Sequence, residues 1–355
     1  MSSSVPLLRR RQLLRLGLGT AGLLALPPAL SGCERQGAAE LLLGRGALPA
    51  AWLRLLPRGW RARALTEPAA ITARLESDAR APSSRVPAPP ALAALGDGWA
   101  TALPLQSWRP LAAEGLLAAL ADWAQPAARL FASDDQPALA FPWSFSPWVL
   151  TLRSRPALAE RAAEGWDLLL DPSLKGKLVL PSSPRVCVEL MGRDFDRIQA
   201  LRRQPLAYDD RNALNLLLAG GAEAAVVPLR PLIPLLRRDP RLAVVLPPGG
   251  APLSWQLLLR PAVAEPSPLP DPAAIQSWMA RVLEPPLLND LLLSGWVPPL
   301  PRTALAPLVA RFPAPIASLL LPPEAVLARC WSLPPLTVPE RLAMQTVWDA
   351  AAPPS

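Results

Sequence analysis

Histidine is absent from the 355-residue chain. That removes the commonest general base and metal ligand, and with it Ser-His-Asp and Cys-His mechanisms. Cysteine is scarce: Cys33, Cys187 and Cys330 are far apart, and none forms a CxxC pair of zinc-site spacing. In an oxidising compartment Cys187 and Cys330 could pair, but the expectation is two separate, partly buried thiols. No nucleophile elbow is present, and Ser183 near Arg185 is no dyad because no base accompanies it. These absences argue against an enzyme and leave no catalytic residue, metal or cofactor to expect. No dense Lys/Arg block interleaved with aromatics occurs, which argues against a nucleic-acid partner. No fixed-period repeat is present. No apolar run approaches the ~20 residues that span a bilayer.

What is present at the N-terminus reads as an address. Arg9, Arg10, Arg11 and Arg15 precede a short apolar stretch from Leu16 to Leu26, which Pro27 and Pro28 break. A charged region, a short apolar region and a small-residue site make an export signal. Arg10-Arg11-Gln12-Leu13-Leu14-Arg15 resembles a twin-arginine motif. Leu30-Ser31-Gly32-Cys33 resembles a bacterial lipobox, whose cysteine sulfur receives diacylglycerol and becomes the first mature residue. Residues 1–32 are therefore expected to be a signal peptide, and Cys33 the lipidated attachment point of a periplasmic, membrane-anchored lipoprotein. An uncleaved anchor or a plain signal with an incidental cysteine is the alternative.

The formal charge of +8 includes four arginines and no acids in that signal, which leaves +4 from Cys33 onward. The 323 residues from Cys33 to Ser355 are enough for two lobes with real cores. Forty-eight prolines do not make the chain low-complexity, since 51% of residues are apolar. The Pro-rich run Ala81–Pro90 reads as a surface loop.

Short apolar runs alternate with amphipathic segments. Strands are expected at 39–46, 60–65, 178–180, 222–229, 242–247 and 255–261. Helices are expected at 49–56, 69–75, 114–123, 186–191, 210–218, 273–283 and 287–293. The run 137–153 (PALAFPWSFSPWVLTLR) reads as two short extended pieces around Trp143 and Trp148. This alternation indicates an α/β protein.

At GWDLLLDPSLKGKLVLPSSPR (165–185) the chain resembles the periplasmic substrate-binding proteins of ABC importers, most of all the spermidine/putrescine-binding family. The resemblance rests on Trp166, Leu169, Pro172, Gly176 and Lys177. FPWSFSPWVLTLR resembles the family's crossing segment. ALNLLLAGGAEAAVVP, PPGGAPLSWQLLLRP and SGWVPP (294–299) then follow in the family's order. The resemblance covers roughly 40 to 350 and implies a two-lobe periplasmic-binding-protein-like α/β fold with crossing hinge strands and a ligand cleft. Lobe 1 would take residues 33–145 and 250–355, lobe 2 residues 146–249. The implied partners are a small solute and an inner-membrane ABC permease.

The resemblance places Asp97, Trp99, Trp143, Ser182, Ser183, Arg185, Arg230 and Trp255 at ligand-binding positions. Ser182 and Ser183 stand where polyamine binders carry acids, and Arg45, Arg185 and Arg230 enter the same region. Such a cleft repels a cation and attracts an anion. The ligand is therefore left open between a polyamine and another small organic or anionic solute. A non-transport scaffold lipoprotein of the same fold is the alternative. For each residue a plain role stands beside the functional one: core for Trp143 and Trp255, surface charge for Arg185 and Arg230, helix capping for Ser182 and Ser183, an Asx turn for Asp97.

Overall fold

The computed structural model describes residues 39–80, 90–111, 113–262 and 272–353. The signal, Cys33 and most of the 81–90 loop lie outside them. Residues 37–355 form a compact unit by themselves.

The strands are β1 (Ala39–Gly44), β2 (Trp60–Leu65), β3 (Pro90–Gly96), β4 (Trp108–Arg109), β5 (Ala140–Arg153), β6 (Leu178–Leu180), β7 (Pro205–Tyr208), β8 (Ala224–Pro228), β9 (Leu242–Val245) and β10 (Leu253–Pro261). They hydrogen-bond in the order β2-β1-β3-β10-β5-β8-β6-β7, with β4 on β10 and β9 on β5. The chain adopts the expected α/β class, these ten strands joined in one hydrogen-bonded path whose two ends, the first and second sheet, share β5. β1, β2 and β3 are parallel and begin the first sheet; β6, β7 and β8 are parallel and form most of the second.

One element differs in kind from its expectation. The two short extended pieces around Trp143 and Trp148 are a single 14-residue strand, β5. Its first half pairs with β10 from Ala140 to Pro147, and its second half pairs with β8 from Trp148 to Leu152. Pro142 and Pro147 cannot donate to a ladder, yet both sit in it. A register shift between Gln256 and Leu257 on β10 accommodates the strand near Pro142, as bulges commonly do.

The first sheet packs on an aromatic core. Trp52 stacks on Trp278 with ring centroids 4.4 Å apart, and each indole N–H donates to the other residue's backbone carbonyl, at 2.9 and 3.0 Å. Trp143 meets Trp52 edge-on at 5.1 Å and Trp296 at 4.7 Å. Indoles bury large apolar areas and pack well stacked or edge-on, so four can share one core.

The second sheet buries its two faces differently, following the period of two. Leu178, Leu180, Ala224 and Val226 face a smaller aliphatic core with Leu150, Leu152, Cys187, Met191 and Ile198. Val179, Ala225 and Val227 face the larger core, continuous with the first sheet. The helices Pro184–Leu190 and Phe195–Arg202 cover the smaller core. So does the last helix, Val338–Ala350, part of the segment assigned to lobe 1 from sequence: it packs on Pro184–Leu190 and buries Trp348 there. Arg202 lies over the Trp348 ring at 4.4 Å and donates to its carbonyl.

The motif that carried the resemblance is structural. Trp166 is buried and its Nε1–H donates to the Gly250 carbonyl at 3.0 Å. Gly176 takes a positive φ at the turn before β6, and Lys177 pairs with Glu223 at 3.0 Å. Gly250 itself sits at φ +88°, and a Cβ there would meet the Arg329 carbonyl oxygen at 2.1 Å. Only glycine permits that approach. Cys187 and Cys330 are free thiols, and burial pushes Cys187 up to about 12.

Candidate functional site

The register locates a cleft. β3 ends at Gly96, which pairs with Gln256, which pairs with Ser144 on β5. β8 ends at Pro228, which pairs with Trp148 on the same strand. The end of β3, one strand removed through β10, is level with Ser144, and the end of β8 is paired with Trp148, so the two C-terminal ends approach one another along β5 over four residues, or ~13 Å. Ligands of open α/β sheets bind beside such ends, where strand order changes. The loops that arrive there are 44–46, 96–99, 181–183, 208–210 and 228–230.

Asp97 opens the short helix Asp97–Ala100 directly after β3. It is buried, and its Oδ1 accepts from the Trp255 backbone N–H at 3.2 Å. Burial raises its carboxyl to about 6; backbone hydrogen bonds and the charge of Arg185 oppose that rise. Arg185 comes from the other sheet, in the first turn of Pro184–Leu190. Burial lowers its pKa, which the charges of Glu189, Asp97 and Glu340 resist. Its Nη2 donates to the Pro334 carbonyl, while its Nε is buried without a partner. Thus Asp97 and Arg185, 88 positions apart in sequence, influence each other across the crossing strand.

Arg230 follows β8. Its backbone N–H donates to the Ser146 Oγ at 3.0 Å, and its guanidinium lies 4.1 Å from the centre of the Trp296 ring. Burial alone lowers its pKa, and among the described residues it has no carboxylate partner. The placement depends on Gly295, at φ +81°, where a Cβ would meet the Arg230 carbonyl oxygen at 2.2 Å. Trp99, on the Asp97–Ala100 helix, is 42% exposed and presents its ring to solvent.

The remaining expected residues lie differently. Trp143 has no exposed surface; it is enclosed by Trp52 and Trp296 in the core. Trp255 is likewise fully buried, packs beside Trp123 and Phe145, and donates from Nε1 to the Ser332 Oγ at 2.9 Å. Its contribution to the site is its backbone N–H on Asp97. Both fall on the core-facing side of crossing strands, a direction that sequence alternation does not reveal when both faces are apolar. Ser182 is exposed, but its hydroxyl and backbone N–H both donate to Asp210. Ser183 stands at the N-cap position of Pro184–Leu190, yet its side chain accepts none of the helix's N–H groups.

Three contributors were missed. Ser144 and Ser146 are buried on β5 and accept from the backbones of Val297 and Arg230. Their alternation with Phe145 was visible but reads equally as an amphipathic strand. Asp210 follows β7, a strand too short and mixed to stand out, and burial raises its pKa. Among the described residues no group of His, Cys, Asp or Glu is placed to hold a metal ion, and no helix is long and apolar enough to cross a membrane.

By sequence, no family model and no curated protein matches the chain. By structure it resembles many solved proteins of one kind. The spermidine/putrescine ABC transporter substrate-binding protein of Streptococcus pneumoniae superposes with a TM-score of 0.66 at 11% identity, over 88% of this chain and 98% of that one. An ABC transporter substrate-binding protein of Bradyrhizobium japonicum gives 0.61 at 13% identity, over 88% and 98%. The ferric binding protein of Campylobacter jejuni gives 0.60 at 12%, over 88% and 99%. The fold is that of the two-lobe periplasmic binding proteins, as the resemblance implied.

Proposed function

We propose that this protein is the extracytoplasmic solute-binding component of an ABC importer, exported by its signal, tethered through lipid on Cys33 and working with an inner-membrane permease. The single observation that carries this reading is the convergence of the C-terminal ends of β3 and β8 toward one stretch of β5, which sets the loops of Asp97 and Arg230 on either side of it. The two lobes divide near residues 145 and 250, with helix Val338–Ala350 lying on the second lobe. A solute that contacts both lobes stabilises the closed form by its differential affinity, and that form is what a permease engages.

The ligand class favoured is a small organic solute bearing an anionic group. Arg230, desolvated on Trp296 without a carboxylate partner among the described residues, supports it, because a half-buried guanidinium gains most from an anion. A polyamine is the second reading. Asp210 supports it, since it brings a carboxylate to the hydroxyl of Ser182, where an acid was expected and not found.

Thermal-shift measurements against organic acids, phosphate esters, amino acids and polyamines separate these. A rise in melting temperature with anions that Arg230→Gln abolishes and Arg230→Lys partly keeps supports the first. A rise with polyamines that Asp210→Asn abolishes supports the second. No rise with any solute overturns both in favour of a ligand-free scaffold.

A further inference from the structure

β1, β2 and β3 all start at the end of the first sheet remote from the cleft, with Ala39 beside Trp60 and Glu40 beside Pro90. The Ala39 N–H donates to the Gly59 carbonyl at 2.8 Å, so the turn 54–59 sits against the first described residue. That turn holds Arg54, Leu55 and Arg58, all exposed, with Leu55 at 45%. Neither arginine has an ion pair among the described residues. The adjacent Arg61 and Arg63 are drawn instead to the buried Glu40, at 3.2 and 3.9 Å. Arg80, closing helix Pro68–Arg80, is already paired with Glu76 at 2.9 Å. The end of β10, with Arg260, comes back beside the start of β3, and Leu105, exposed, leads into β4 there.

We infer that this end of the first sheet is a docking surface for an anionic lipid bilayer, with Arg54 and Arg58 on the headgroups and Leu55 at their level. The inference rests on the lipid-anchor reading of Cys33. Cys33 precedes Ala39 by six residues, a tether of at most ~20 Å when fully extended. A diacylglycerol there holds this end, and not the cleft end, next to the membrane. Within about one Debye length, anionic lipid attracts arginines that have no partner of their own. Exposed leucine beside arginine suits the interface, where apolar and charged groups are both accommodated.

The test uses residues 37–355, a compact unit containing both cores, and so needs no lipid on the protein. Cosedimentation with vesicles of phosphatidylcholine alone is compared with vesicles holding about 30% phosphatidylglycerol at low salt. The expected result is binding at least about tenfold stronger to the anionic vesicles. Arg54→Glu/Arg58→Glu should lose it, and Arg237→Glu/Arg238→Glu, an equal charge change on the second lobe, should keep it. No preference for anionic vesicles overturns the inference, and so does equal loss in both variants. Separately, the intact mass of the full chain from the membrane fraction reports lipid on Cys33. Its absence overturns the anchor reading without altering the vesicle result.

Discussion

The first sheet is held by indoles and the second by aliphatic side chains, and the two are unequal in what they need. Trp52, Trp143, Trp278 and Trp296 interlock within the first sheet's own neighbourhood, with the indole donors of Trp52 and Trp278 satisfied by each other's backbone carbonyls. The second sheet has strands of three to five residues, β6 to β9. One of its faces is covered by helices Pro184–Leu190 and Phe195–Arg202 and also by the chain's last helix. A short-stranded sheet buries too little area alone. It borrows Trp348 from the far end of the sequence, and that borrowing joins the lobes a further time beyond β5 and the return into β10.

The comparison breaks most sharply at its aromatic side. Trp52→Ala should cost about 3–5 kcal/mol, lowering the midpoint of chemical denaturation for the whole unit, because that core is continuous with one face of the second sheet. An unchanged midpoint would mean the indole cluster is dispensable. Trp348→Ala should cost less, about 3 kcal/mol. Hydrogen exchange should accelerate chiefly in 184–202 and 338–350; uniform acceleration would show that the second core does not open separately.

Asp97 sharpens the comparison through pH. Its folded value, about 6, lies above the unfolded 3.8, so the folded state holds its proton more tightly. Its contribution to stability is therefore fully present below about pH 4 and is lost as pH rises through about 6. A shift of this size corresponds to roughly 3 kcal/mol. Asp97→Asn, which keeps an acceptor for Trp255, should flatten that slope and be the more stable protein at pH 8. A steeper fall between pH 4 and 6 in the variant would contradict the assignment. The smallest effect expected is from Thr337→Ala. It removes the capping box with Glu340 at the start of helix Val338–Ala350 and should cost about 1 kcal/mol, again felt by the second lobe in hydrogen exchange.

Much of the architecture was legible. β2 and the helix Leu287–Leu293 fall on their expected bounds, and β1, β6 and β8 lie within theirs. Apolar runs bounded by turn residues report burial directly. Helices Phe195–Arg202 and Val338–Ala350 went unseen, because many of their positions are polar or exposed and the apolar stripe is narrow. The crossing strand reads as two pieces around Trp143 and Trp148, and the ladder nonetheless runs through Pro142 and Pro147, with a register shift on β10 opposite the first.

The site was less legible. Asp97, Trp99, Arg185 and Arg230 lie in the loops and first turns that follow β3, β6 and β8, whereas Trp143 and Trp255 are fully buried in the core. In a strand buried on both sides, every residue is a plausible liner. Only the packing of Trp52, Trp296 and Trp123 decides which side faces the cleft.

By itself, the sequence determined the α/β alternation, the lack of histidine chemistry, and the glycines at 176, 250 and 295. These are local properties, written in runs of side chains and in backbone angles that no other residue tolerates well. Tertiary structure alone decided that Asp97 should feel Arg185, that Arg230 should rest on Trp296, and that Trp348 should complete the second core. Those pairings depend on strand register and on the path of β5 between the sheets. Register is a cooperative outcome of the whole ladder, and no short stretch of residues encodes it.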